Sequence, residues 1–321
     1  MQTVSFVIRI KNEYRDIKQT IDSIKSQILD SGIEVEIIIV DNMSTDGGPK
    51  SVEDDVDEII YISDEDFSWG KAINLGIEKS KGNYIVLMSG HCILLNVHVL
   101  MEAIKLFDEN DIDALYGKQC GDNQKDKIEC LELNESYPNL DYFEFDKNIK
   151  GIGISNAACI LKKEIWKKNK FNEELQSAED AEWCKRIRNS GSICAYSDKF
   201  LIQHGHYFNA DYIYKKWYWR TIIIDESRNK KLVKILGTKF FFIIKVLNLT
   251  YSYLIKGKKN NLKIKLQSIL YYTIICELPR LIARKNMIHR LEIVNKYEDI
   301  KAPNLVYKLG TKIKQNEKYI N

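Results

Sequence analysis

Val4-Ser5-Phe6-Val7-Ile8-Arg9-Ile10-Lys11-Asn12-Glu13 is an apolar run that breaks into a polar tip. A run of this kind reads as a strand buried on both faces, as in the interior of a parallel sheet. Residues 13–29 follow with Ile17, Ile21, Ile24 and Ile28 at helical spacing. Residues 35–40 form a second buried strand ending at Asp41, and residues 59–62 a short third. Residues 70–79 read as a helix with Ala72, Ile73, Leu75 and Ile77 on one side, closed by Lys81-Gly82. A fourth strand at 84–88 and a helix at 97–107 complete the pattern. Strands alternating with helices predict an α/β fold, a mostly parallel sheet flanked by helices. Ligands of such sheets bind beyond the carboxyl ends of the strands. Asp41 and Ser89-Gly90-His91 stand at two such ends.

Further along, residues 120–150 are polar, aromatic and irregular, with Tyr137-Pro138 among them; a stretch of that length inside a compact domain is usually functional. Residues 151–161 return to small and apolar types. Residues 178–189 look helical, with Ser177 as a candidate cap, and 193–196 and 200–202 look like short strands. Beyond residue 207 the character turns aromatic and basic, which predicts a boundary near 210. The expected organisation is one α/β domain over 1–210 and a helical appendage over 211–321, without internal repeats.

The net charge of +3 over 321 residues conceals an asymmetry. Residues 1–210 carry 24 basic and 37 acidic side chains, whereas 211–321 carry 24 basic and only 8 acidic. A basic tail on an acidic body suggests an anionic partner, unless the charge is simply solvated helix surface. The seven cysteines form no Cys-x-x-Cys pair, so reduced, mostly buried thiols of a cytosolic protein are expected. Met1-Gln2-Thr3 leads straight into a strand with no signal peptide in view. No apolar run reaches the roughly 18 residues of a spanning helix.

Taken alone, Asp41 is a carboxylate at a strand end, able to accept hydrogen bonds from a base or ribose or to close a turn with Ser44. Asn12-Glu13, Val40-Asp41-x-x-Ser44-Thr45-Asp46-Gly47, Gly76…Gly82-x-Tyr84 and Glu179-Asp180, in that order, resemble family 2 glycosyltransferases with the GT-A fold. The segments Ile8–Glu13, Phe67–Gly76 and Ser89-Gly90-His91 resemble a bacterial subgroup that assembles cell-surface polysaccharide. The resemblance spans residues 1–210. It implies that Ile10, Asn12, Glu13 and Asp41 cradle the nucleotide base and ribose, with Lys71 and Asn74 nearby on the next helix. Ser155 and Asn156 would line the donor-sugar and acceptor pocket.

Ser89-Gly90-His91 departs from the family pattern, since it stands where a metal-binding Asp-x-Asp is usual. Ser89 supplies no charge there, but a His91 ring nitrogen can bind a divalent ion, and His204 and His206 follow a strand able to return to the site. The resemblance thus implies a metal cofactor held by His91, His204 and His206. Nitrogen ligands favour Mn²⁺ over Mg²⁺, which prefers oxygen. A metal-free hydrogen bond from His91 to the diphosphate and a structural role are the alternatives. Inverting sugar transfer also needs a base for the acceptor hydroxyl. The family assigns it to the aspartate of a Glu-Asp pair, here Asp180, with Glu179 beside it. The competing explanation of that pair is complementation of a helix dipole.

In the C-terminal third, residues 212–220 mix tyrosine, tryptophan, lysine and arginine, and 240–244 and 266–276 are apolar. Such helices suit a membrane surface and lipid-linked acceptors, an oligomer contact, or packing on the first domain. No nucleic-acid recognition motif is present. The expectation is an inverting, nucleotide-sugar-dependent transferase acting on a glycan or lipid-linked acceptor, cytoplasmic and peripheral on the inner face of the membrane. A nucleotidyltransferase, which would want a Gly-rich loop after the first strand, and a degenerate GT-A scaffold are the alternatives.

Overall fold

The computed structural model describes residues 2–122, 124–125, 127–145, 154–207 and 209–226, with 278–280, 282–283 and 308 beyond them. The chain divides into two compact units, Met1–His206 and Tyr207–Asn321. The first unit opens with β1 (Gln2–Ile10), α1 (Ile17–Lys25), β2 (Ile33–Asp41), β3 (Glu58–Tyr61), α2 (Trp69–Lys79), β4 (Tyr84–Ser89), β5 (Cys92–Leu94) and α3 (Val99–Asn110). It continues with β6 (Ala114–Gly121), α4 (Lys127–Ser136), β7 (Phe143–Glu144), β8 (Ala158–Lys162), α5 (Lys163–Lys168), α6 (Glu179–Asn189) and β9 (Cys194–His204). In the second unit, α7 spans Ala210–Glu226.

The nine strands described make one sheet in the order β3-β2-β1-β4-β8-β6-β9-β5, with β7 paired to β9. β3, β2, β1 and β4 are parallel, as their intervening helices require. β8 runs antiparallel to both neighbours, and β9 is parallel to β6 but antiparallel to β5 and β7. The sheet is therefore mixed, and its wholly parallel part is the first four strands.

Alternation along β1 explains its two-sided burial. Phe6, Ile8 and Ile10 pack with Ile17, Ile21 and Ile24 of α1 in one core. Val7 packs with Ala72, Ile73 and Ile77 of α2 and Trp183 and Ile187 of α6 in the other. α2 approaches the sheet so closely that a Cβ on Gly76 would lie 2.4 Å from Val7 Cγ1 and 3.0 Å from Val40 Cγ2.

Several expectations need correcting. The two short strands near 193–196 and 200–202 are parts of one strand, β9, whose pairing with β6 shifts register between Gly117 and Lys118. The stretch 120–150 is not wholly irregular, since it contains α4, whose apolar residues do not fall on a single stripe. Ser177 does not cap α6. The cap position is Ala178, in the left-handed region at φ 62° and without a side-chain hydrogen bond. Six cysteines lie among the described residues, all free thiols and five of them buried.

On α7, Tyr214, Tyr218 and Trp219 are buried, while the Arg280 guanidinium lies 3.8 Å over the Trp217 ring. Part of the aromatic run is thus buried rather than exposed. The apolar stretches 240–244 and 266–276, and Gly151-Ile152-Gly153, lie outside the described residues. Among the described residues no helix is long and apolar enough to cross a membrane.

Candidate active site

The carboxyl ends of β1, β2 and β4 lie side by side, with Ile10 opposite Asp41 and Arg9 opposite Ser89. The loops that leave β1 and β2 are bolted together. Asn12, at φ 57°, donates its backbone N–H to Ser44 Oγ at 2.7 Å and accepts at Oδ1 from the Thr45 N–H at 2.9 Å. Asp46 Oδ2 accepts from the Tyr14 N–H at 2.8 Å. Asp41 is fully buried and accepts from both the N–H and the hydroxyl of Ser44. It therefore closes the turn considered above, and each carboxylate oxygen keeps further acceptor capacity.

The tip of β4 presses on that of β1, for a Cβ on Gly90 would meet Ile10 Cγ2 at 2.5 Å. This packing brings His91 against Glu13, with Nδ1 2.8 Å from Oε1. On the other side, His91 Nε2 lies 3.1 Å from Nε2 of His204, and His204 Nδ1 lies 2.7 Å from Gln119 Oε1. His206 joins the group with its ring 4.5 Å from that of His91, and its Nδ1 is 2.8 Å from Glu129 Oε1. The three expected histidines thus converge, although they come from the ends of β4 and β9. Cys92 completes the set from which a metal could draw ligands, His91, Cys92 and His204, whose ligand atoms lie within 4.8 Å of one another. Burial pushes the Cys92 thiol up to about 12, so it is the weakest donor of the three.

This donor set fits a first-row divalent metal. Each Nδ1 faces a side-chain oxygen, and with the proton on that nitrogen the Nε2 lone pairs of His91 and His204 would turn toward each other. Two nitrogens 3.1 Å apart can share one ion about 2.1 Å from each. Glu13, Gln119 and Glu129 would be the outer partners that orient the rings. Sequence reasoning missed Gln119, Glu129 and Cys92. Gln119 follows Lys118 in a strand that opens apolar and gave no signal of its own, and Glu129 sits in the stretch whose structure was not legible.

A second cluster lies at the start of α6. Glu179 is buried, 3.7 Å from the Arg9 guanidinium, which in turn lies 4.8 Å over the Trp69 ring. Burial pushes the Glu179 carboxyl up to about 7, and the neighbouring Asp180 charge adds to the effect. Asp180 is half-buried, and its Oδ1 accepts from the Ala181 N–H at 2.7 Å. Asn156 is buried nearby, and Ser155 Oγ accepts from the Ala157 N–H at 3.2 Å.

Two expected nucleotide contacts stand differently. Lys71 is on the first turn of α2, its side chain partly exposed, with Nζ 2.8 Å from Asp66 Oδ1. Asn74 is a correction, since its amide is saturated. Oδ1 accepts from Trp166 Nε1 at 2.8 Å and the Phe171 N–H at 3.0 Å, and Nδ2 donates to the Phe171 carbonyl and Glu173 Oε1. With no capacity left for a ligand, Asn74 is a strut between α2 and the segment after α5. Asn74→Ala should cost about 2 to 4 kcal/mol, because it strands two buried donors. Urea unfolding measures the loss, and a weakened nucleotide affinity with unchanged stability would contradict the strut. Trp166 and Trp183 are likewise core, Trp183 stacked 4.8 Å from Phe171.

The family model for Glycosyl transferase family 2 matches residues 5–167. The chain belongs to glycosyl transferase family 2. This family 2 chain is 22% identical over 190 residues to the O-antigen chain rhamnosyltransferase WbaN of Salmonella anatum, which covers 57% of the chain and 60% of WbaN. The chain thus spans less than two thirds of that relative's length. Among solved structures it is similar to S. aureus TarS 1-349 in complex with UDP-GlcNAc, with a TM-score of 0.52 at 18% identity over 99% of this chain and 89% of that one. It is also similar to the mannosyltransferase PcManGT of Pyrobaculum calidifontis in complex with GDP-Man and Mn2+, with a TM-score of 0.52 at 15% identity over 87% and 86%. At these identities the likeness establishes the GT-A fold of this family 2 chain.

Proposed function

We propose that the chain is an inverting glycosyltransferase that moves one sugar from a nucleotide-sugar donor to a cell-surface glycan or lipid-linked acceptor. The observation that carries this reading is a single row of side chains. It runs from Asp41 past Ile10 and Glu13 to His91 and His204, with Arg9 linking the same strand tip to Glu179-Asp180. That arrangement supports a reading in which anion stabilisation and a base, the pair of functions a transferase needs, work around one strand end.

In this proposal Asp41, Asn12 and Ile10 receive the nucleoside at the bolted loops. Asp180 takes the proton of the acceptor hydroxyl as its oxygen bonds to the anomeric carbon. The bond from that carbon to the diphosphate oxygen breaks on the opposite face, so the configuration inverts and the nucleoside diphosphate leaves. A divalent ion held by His91 and His204, with His206 and Cys92 alongside, would neutralise charge on the leaving diphosphate. The Mn2+ in the PcManGT complex and the nitrogen-rich donor set favour Mn²⁺ over Mg²⁺.

WbaN, an O-antigen chain rhamnosyltransferase, supports the surface-glycan acceptor. The basic balance of 211–321 supports contact with an anionic lipid surface. The direct test is thermal stabilisation by UDP, GDP, dTDP and CMP with and without Mn²⁺, followed by release of the nucleotide from the matching sugar conjugates. One nucleotide should raise Tm by several degrees in a Mn²⁺-dependent manner. Indifference to all four would leave only the scaffold reading standing.

A further inference from the structure

Arg9 takes no part in the transfer as proposed above, yet it occupies the junction between the strand tip and the base helix. Its side chain is 9% exposed, packed on Trp69, and 3.7 Å from Glu179 Oε1. A charge-assisted hydrogen bond would close to about 2.7–2.9 Å. The contact is therefore Coulombic, and Nη1 is a buried donor with no hydrogen-bond partner. A buried donor left unsatisfied calls for a reason. It is closed off from solvent and so cannot touch a substrate in this arrangement. Arg9 must act through the carboxylate it faces.

Glu179 is surrounded as follows. Arg9 of β1 and Asn156, just before β8, oppose its protonation, while burial and Asp180 on its own helix favour it. Tyr116 of β6 and Cys159 of β8 lie within reach of the Asp180 charge, and burial pushes both up, so they stay neutral. Trp69 of α2 covers Arg9 and carries no charge. Among these groups Arg9 is the one cation.

We propose that Arg9 is a positioning residue for the transfer reaction, whose charge holds Glu179 as a carboxylate so that the adjacent Asp180 keeps its full basicity toward the acceptor hydroxyl. This inference rests on the transferase reading. Two carboxylates side by side raise each other's proton affinity. An ionised Glu179 therefore strengthens Asp180 as a base, and a protonated Glu179 removes that support. The sign follows. Glu179 takes up its proton as pH falls through about 7, so kcat should decline on that acid side. Without Arg9, Glu179 binds its proton more tightly, by about tenfold for an opposite charge at this range, and the decline starts at higher pH.

The test pairs a carboxyl-carbon NMR titration of Glu179 with pH profiles of kcat, using the full chain and whichever nucleotide sugar it turns over. Glu179→Gln identifies the resonance. Arg9→Met should move the Glu179 titration upward, lower kcat at pH 7 about fivefold to tenfold, and leave KM for the donor unchanged, with activity recovering at pH 9. Arg9→Lys should restore most of both. The double variant Arg9→Met with Glu179→Gln, which removes both charges at nearly constant volume, should fold normally and lack the step near pH 7.

A Glu179 titration unmoved by Arg9→Met overturns the proposal, as does a kcat loss that is the same at every pH. If the unaltered protein turns over no nucleotide sugar, the transferase reading fails and the positioning role with it. That case is recognised because the carboxyl titration still shifts.

Discussion

Asp180→Asn is expected to lower kcat about 10³-fold while leaving the nucleotide Kd within about twofold. The substitution is nearly isosteric, and its amide oxygen can still accept from the Ala181 N–H that Asp180 holds at 2.7 Å. The start of α6 should therefore keep its shape. What disappears is the capacity to take a proton while the acceptor oxygen bonds to the anomeric carbon. Single-turnover release of nucleotide from a labelled donor, set beside calorimetric binding of the nucleoside diphosphate, separates the two effects. Retained turnover would refute the base assignment. Because Asp180 raises the proton affinity of Glu179, the same variant should also move the Glu179 titration downward.

The second large effect concerns the histidines. His91→Ala and His204→Ala should each abolish Mn²⁺-dependent stimulation and reduce activity at least about 100-fold, with chelation of the unaltered protein giving a similar loss. Each removes one of two nitrogens that lie 3.1 Å apart. Gln119→Ala and Glu13→Gln should weaken Mn²⁺ binding by a smaller factor of about 10 to 100, since they orient the rings without touching the ion. Manganese electron paramagnetic resonance reads binding directly, apart from turnover. Full activity in chelator, or Mn²⁺ affinity unaltered in both alanine variants, would eliminate the metal role and leave His91 as a hydrogen-bond donor.

Strands β1, β2 and β4 were legible because each is mostly apolar and ends in a polar tip, and their helices because apolar residues recur at helical spacing. The histidine group was legible for a different reason. The family resemblance placed His91 at a metal position, and the strand before His204 needed only to return to it. Other parts of the site resisted. Asn74 looked like a ligand-facing amide, but a buried amide is used wherever donors and acceptors are stranded, and Trp166 and Phe171 strand them nearby. Arg9 sits inside an apolar strand, where a charge signals a partner, but that partner is 170 residues away in Glu179. Long-range pairs of this kind leave no mark on local periodicity. The mixed half of the sheet was illegible for the same reason, since β8 and β9 owe their directions to neighbours distant in sequence.

The Asn12–Ser44–Thr45–Asp46 latch has a practical corollary for anyone wishing to re-engineer the nucleoside site proposed at this end of the sheet. Its backbone donors and side-chain acceptors alternate between two loops, so a transplant of either loop by itself would leave the other with mismatched stitches. Residues 11–14 and 41–48 form a cassette that has to be exchanged whole.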